Sequence, residues 1–168
     1  RTGWGQYYRY NSEGHLLNRI TKGNFTAGKI MSVDTVKGDI YLYGYGKERN
    51  INPYYAMLYK VALNGKNEQL LTPENATHQV YISPDRKYFV DNYSRIDLAP
   101  VTVLRKIDGK TISEVLRPNV SNLYAYGWKN AEPFTVKAKD AAGNSSPQST
   151  TATETTLSAS VGGGSCGT

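Results

Sequence analysis

The chain has 168 residues, 39% of them hydrophobic, and a formal net charge of +6. No apolar run reaches the roughly 18 residues of a membrane-spanning helix. The basic residues are scattered (Arg9, Lys22, Lys47, Lys60, Arg86, Lys106) with no run like those of nucleic-acid patches, and the lone Cys166 can make neither an internal disulfide nor a cysteine-rich zinc site.

The chain opens on Arg1-Thr2-Gly3-Trp4 without a Met or an apolar leader, so it is expected to be a piece of a longer protein. From there on it shows no helical periodicity of useful length. Short alternating runs between turn residues predict strands over 6–11, 15–20, 28–34, 38–45, 55–62, 67–72, 77–83, 86–92, 100–106, 110–115, 120–127 and 133–138. The turns carry Asn11-Ser12-Glu13-Gly14, Lys37-Gly38, Asn64-Gly65 and Asp108-Gly109, where glycine supplies the positive φ of a tight hairpin. Use of 14 Tyr against 3 Phe suits strands that are half buried and half wet. The end differs: 21 of residues 141–168 are Ser, Thr, Gly or Ala and none is aromatic, which predicts a disordered linker over 139–168.

The patterned part repeats itself. YRYNSEGHLLNRIT (8–21) lies over YKVALNGKNEQLLT (59–72) without a gap, pairing Tyr8 with Tyr59, Gly14 with Gly65 and Thr21 with Thr72. A third copy, VLRKIDGKTISEVL (103–116), keeps the turn glycine Gly109. Between these copies lies a second hairpin type, IMSVDTVKGDIYLYG (30–44) and VYISPDRKYFVDNYS (80–94), with a partial copy expected from Val120. The turn glycines recur after 51 and then 44 residues. Two alternating hairpins make four strands, and repeats of about 40–50 residues are the size of propeller blades. The expected fold is therefore all-β: a partial β-propeller over 1–138, with about two whole four-stranded blades plus half blades, followed by the tail.

Few side chains suggest chemistry. His15 follows a turn glycine and His78 begins a strand, so both are expected at the surface or at a blade edge. Asp34 and Asp85 sit in equivalent turns and are expected to bond the turn backbone. Tyr41, Tyr43, Tyr45, Tyr54, Tyr55, Tyr124 and Tyr126 are expected to pack between blades, since alternation puts Tyr41 and Tyr43 on one face. No metal-ligand spacing is present, and no catalytic residue, substrate-binding residue, metal or cofactor is expected in this chain.

SPDRKYFV (83–90) resembles the Ser-Pro-Asp-Gly-Lys signature of TolB-like propellers, with Arg86 where Gly is usual. The stretch from Leu58 to Lys110 resembles the late blades of the propeller in dipeptidyl peptidase IV-type serine peptidases of the prolyl oligopeptidase family. YGWKNAEPFTVKA (126–138) resembles the hand-over from that propeller to an α/β-hydrolase domain. The resemblance implies a propeller that performs no chemistry but gates peptide access to the hydrolase domain, which removes dipeptides. That domain's nucleophile lies in Gly-Trp-Ser-Tyr-Gly, a strained elbow. Here Gly127-Trp128 is followed by Lys129, and the adjacent glutamates that hold a substrate amino terminus are missing. The chain alone is thus expected not to be an enzyme. Its expected partners are the hydrolase domain of the parent peptidase and that enzyme's peptide substrates, with no nucleic acid and no membrane span. FTVKAKDAAGNSSPQSTT (134–151) also resembles the end of a bacterial fibronectin type III module plus linker. That leaves an alternative: a β-rich carbohydrate- or surface-binding segment of a secreted multidomain protein, or a chimeric fragment without independent function. The expected location is periplasmic or extracellular.

Overall fold

The computed structural model describes residues 3–132 and 134. The chain divides into the units Arg1–Trp128 and Lys129–Thr168. The tail, and the strand expected over 133–138 apart from Phe134, lie outside the described residues.

The alternating runs form ten strands. β1 (Tyr8–Tyr10) and β2 (Leu16–Arg19) are an antiparallel hairpin. β3 (Thr26–Asp34), β4 (Asp39–Tyr45), β5 (Met57–Ala62) and β6 (Gln69–Leu70) form a four-stranded antiparallel meander. β7 (Thr77–Ile82), β8 (Tyr88–Arg95), β9 (Leu98–Lys106) and β10 (Thr111–Leu116) form a second. Each sequence repeat is one hairpin of this scheme. The first type gives β1–β2, β5–β6 and β9–β10, and the second gives β3–β4 and β7–β8. The molecule is a hairpin followed by two blades, a partial propeller.

The copies share buried bonds as well as turns. The Thr21 hydroxyl accepts from the Tyr7 amide at 2.9 Å, and the matching Thr72 hydroxyl accepts from the Leu58 amide at 2.8 Å. The Ala27 amide donates to the Gly5 carbonyl at 2.9 Å, and the His78 amide, 51 positions on, donates to the Ala56 carbonyl at 3.0 Å. The Asn18 amide group reaches the Leu63 carbonyl at 3.0 Å, and Gln69 reaches the Asp108 carbonyl at 2.9 Å. Each outer hairpin is thereby stitched to the turn of the next.

Blade faces pack in series. β4 is covered on both sides: Ile40 and Leu42 join Ile20 and Val61 under the first hairpin, while Tyr41 and Tyr43 join Leu58, Leu71, Val80 and Phe89 between the two blades. β7 alternates as a strand with one buried face, with Val80 buried and Tyr81 60% exposed.

Two expectations fail locally. Residues 120–127, expected as a strand, instead contain the short helix α1 (Ser121–Ala125), which buries no residue. The Asn119 side chain accepts from the Ser121 amide, Tyr126 bonds the Asn122 carbonyl, and Gly127 turns out at φ 89°. The strand expected over 67–72 shrinks to Gln69–Leu70, because Asn67 takes a left-handed φ of 53° before it.

Candidate functional site

Among the described residues, a compact group of ionisable side chains lies on the face of the second blade that meets the first. Side-chain alternation sends His78 and Val80 of β7 to the same side. Asp91 is paired across from Val80, and Arg105 across from Phe89. His78, Asp91 and Arg105 are all buried. Glu74 joins them from the link between β6 and β7.

Four groups bond in a closed circuit. His78 Nδ1 lies 2.9 Å from Asp91 Oδ1, and His78 Nε2 lies 3.0 Å from the Glu74 backbone carbonyl. Arg105 Nε donates to Asp91 Oδ2 at 3.0 Å, and its Nη2 donates to Glu74 Oε1 at 2.6 Å. Arg105 Nη1 also donates to the Gly109 carbonyl at 3.2 Å and to the Thr111 hydroxyl at 2.9 Å. One guanidinium fork therefore ties β8, β10, the β9–β10 turn and the interblade link. Beside the quartet, the Tyr43 hydroxyl of β4 accepts from the Val80 amide at 2.8 Å, and burial pushes that phenol up from its ordinary value.

The arrangement ties three strands and the link together. A His–Asp pair is two-thirds of a hydrolytic triad, in which the outer ring nitrogen takes a proton from a nucleophile. Here that nitrogen faces a backbone carbonyl, which has no proton to give. Nor do the residues fit a metal. Glu74, His78 and Asp91 bring ligand atoms within 4.8 Å of one another, but Arg105 already stands between the two carboxylates. A divalent ion there would meet a positive charge at contact distance.

His78 thus corrects the expectation of a blade-edge position: its ring is buried and bonds the buried Asp91 and the half-buried Glu74 carbonyl. The quartet was signalled only by two charges, Asp91 and Arg105, inside otherwise apolar alternating strands. His15 does lie at the surface, 3.4 Å from Glu13. The two turn aspartates do what was expected. Asp34 Oδ1 accepts from the Val36 and Lys37 amides at 3.1 and 3.0 Å, and Asp85 Oδ1 accepts from the Lys87 amide and the Ser83 hydroxyl. Of the tyrosines, Tyr41 and Tyr43 pack between blades, while Tyr54 and Tyr126 are exposed at 71% and 91%.

Arg86 explains the departure from glycine in the turn signature. It takes the left-handed φ of 53° that glycine would adopt freely, and its guanidinium reaches Asp34 Oδ2 at 3.5 Å in the equivalent turn of the first blade. A backbone cost is offset by an interblade ion pair. Under the first hairpin, Lys47 pairs with Glu68 and lies over the Phe25 and Tyr59 rings at 4.7 and 5.2 Å, and burial lowers its pKa. The Gly-Trp-Ser-Tyr-Gly elbow is absent, but the looser pattern Gly-x-Ser-x-Gly does occur once, as Gly163-Gly164-Ser165-Cys166-Gly167. It lies outside the described residues and lacks the alternating apolar strand that leads into a nucleophile elbow.

Comparison with known proteins agrees with this architecture. A crystal structure of dipeptidyl peptidase 4 from Porphyromonas gingivalis matches with a TM-score of 0.68 at 19% identity, over 85% of this chain and 20% of that one. At that identity the likeness carries the fold alone, and the chain spans about a fifth of the length of that protein. Residues 1–100 match the family described as the dipeptidyl peptidase IV (DPP IV) N-terminal region. With its collinear hairpins assembled into stacked four-stranded blades, the chain belongs to the family of the dipeptidyl peptidase IV N-terminal region.

Proposed function

We propose that this chain is a non-catalytic propeller segment of a dipeptidyl peptidase IV-like serine exopeptidase, one wall of the passage by which peptides reach an α/β-hydrolase domain. The observation that carries the non-catalytic reading concerns histidine. The sequence has two. His78 has both ring nitrogens on acceptors within a buried network, and His15 is an exposed turn neighbour of Glu13. Neither is placed to take a proton from a serine. The hydrolase domain of the parent enzyme is the proposed partner, and peptides are the proposed cargo.

The test is an assay of the purified chain with Gly-Pro and Ala-Pro chromogenic dipeptides. No turnover is expected. Turnover that survives repurification and disappears in Ser165→Ala, or on replacing any other serine of this chain, would overturn the reading.

A further inference from the structure

The quartet has a property that simple packing does not require. Both partners of the His78 ring are acceptors: a carboxylate oxygen at Nδ1 and a backbone carbonyl at Nε2. A neutral imidazole has one N–H and one lone pair, so it can satisfy only one of them. Only the doubly protonated ring donates to both. That state also balances the charge, setting His78 and Arg105 against Asp91 and Glu74 in a site where an uncompensated charge is costly.

The Glu74 carbonyl is the hinge of the link between the blades. It already accepts from the Ala76 amide at 2.8 Å. Next to it, Arg95 Nη1 donates to the Asn75 carbonyl at 3.1 Å. We propose that the quartet is a proton-sensitive latch: the doubly protonated His78 ring fastens the Glu74 carbonyl of the 71–76 link to the second blade, and loss of one ring proton turns a lone pair on that carbonyl and loosens the link there, while Arg105 and Arg95 keep their hold. The charged and titratable groups around the ring are Asp91 from β8, Arg105 from β9, Glu74 from the link, the Tyr93 ring at 5.5 Å and, across the interface, Tyr43 of β4. Asp91 keeps its second oxygen on Arg105 in either state, so the Glu74 carbonyl is the contact that gives way. The latch belongs to the interface between the two blades and does not depend on what the parent enzyme cleaves.

The experiment uses the whole chain labelled uniformly with nitrogen-15, in which NMR follows the two imidazoles and the backbone amides together. Ring shifts report which nitrogens carry protons, and hydrogen exchange of the Ala76 and His78 amides reports the link. Across a pH titration, loss of a ring proton at His78 is expected to coincide with a fall of about tenfold in protection of those two amides, the size of one buried hydrogen bond. Titration of the exposed His15 should leave them unchanged. A His78 ring that carries one proton while the link stays protected would overturn the proposal. So would deprotonation with no change in protection. In His78→Leu, which has no side-chain donor, protection of the Ala76 amide is expected to be low and independent of pH. A pH-dependent step that persists in this variant would also count against the latch.

Discussion

The two links between successive β-elements come from the same repeated sequence but are fastened by opposite chemistry. Thr21-Lys22-Gly23-Asn24-Phe25 leads into the first blade, and Thr72-Pro73-Glu74-Asn75-Ala76 leads into the second. In the first, the neutral amide of Gln6 donates to the Phe25 carbonyl at 2.6 Å, and the buried Phe25 ring fills the space, with its centroid 6.2 Å from that of Tyr59. In the second, the ring position is Ala76, and the space is taken up by His78, Asp91 and Arg105. Strand register places Asp91 where the first blade has Leu42, and Arg105 where it has Val61. One scaffold thus accepts either an apolar seam or a charged one, provided each seam is complete. A charged seam ties its parts by direction as well as by area, and responds to protons.

The largest effect should come from making one seam incomplete. Arg105→Val takes one of the two partners of the buried Asp91 and the partner of Glu74, and the expected loss is about 3–5 kcal/mol in urea unfolding. Adding Asp91→Leu copies the pair Leu42 and Val61 from the first blade and should recover part of that loss, since the stranded carboxylate is removed while His78 and Glu74 stay. If the double variant is no more stable than the single one, the two seams are not interchangeable.

A smaller effect tests how tightly outer turns seat on their neighbours. Gly14, Gly65 and Gly109 share the same turn and positive φ values of 84°, 77° and 92°. A Cβ on Gly14 meets nothing, one on Gly65 would overlap the Arg19 carbonyl, and one on Gly109 would come within 2.9 Å of the Leu71 carbonyl. Gly14→Ala should therefore cost only the left-handed backbone term of about 1–2 kcal/mol. Gly65→Ala should cost more, because a backbone must move. Equal shifts in thermal midpoint for the two would show that the turn does not bear on the preceding hairpin.

The smallest effect concerns the ion pair that bridges the turns. The Lys37 amide, aided by Arg86 and the Val36 amide, holds the Asp34 carboxyl below the usual carboxylate range despite its burial. A depressed carboxyl stabilises the fold above its unfolded value of about 3.9 and loses that contribution as pH falls through the folded value. The gap in thermal midpoint between the natural chain and Asp34→Asn should be widest above about pH 4 and close in acid. A gap independent of pH would mean that charge plays no part at this turn.

Local chemistry made most of the architecture legible in advance. Gly14, Gly65 and Gly109 mark turns because each must take a positive φ, and alternation around Tyr41-Leu42-Tyr43 identifies a strand covered on both faces. Repetition of two hairpin types identifies blades, because a hairpin cannot bury its own faces and must stack. Other features depend on which face meets which neighbour. The run 120–127 has the alternation of a strand, yet it closes its bonds within a helical turn. His78 looks like a strand-edge residue, because its partners Asp91 and Arg105 lie 13 and 27 positions away and are brought to it only by the register of β7, β8 and β9. Arg86 looks like a flaw in a glycine turn until Asp34, far off in sequence, is seen beside it. Backbone conformation is set by neighbours along the chain and can be read there. Burial and hydrogen-bond partnership are set by neighbours in space, so the charged seam came into being only when β7, β8 and β9 paired and the link folded against them.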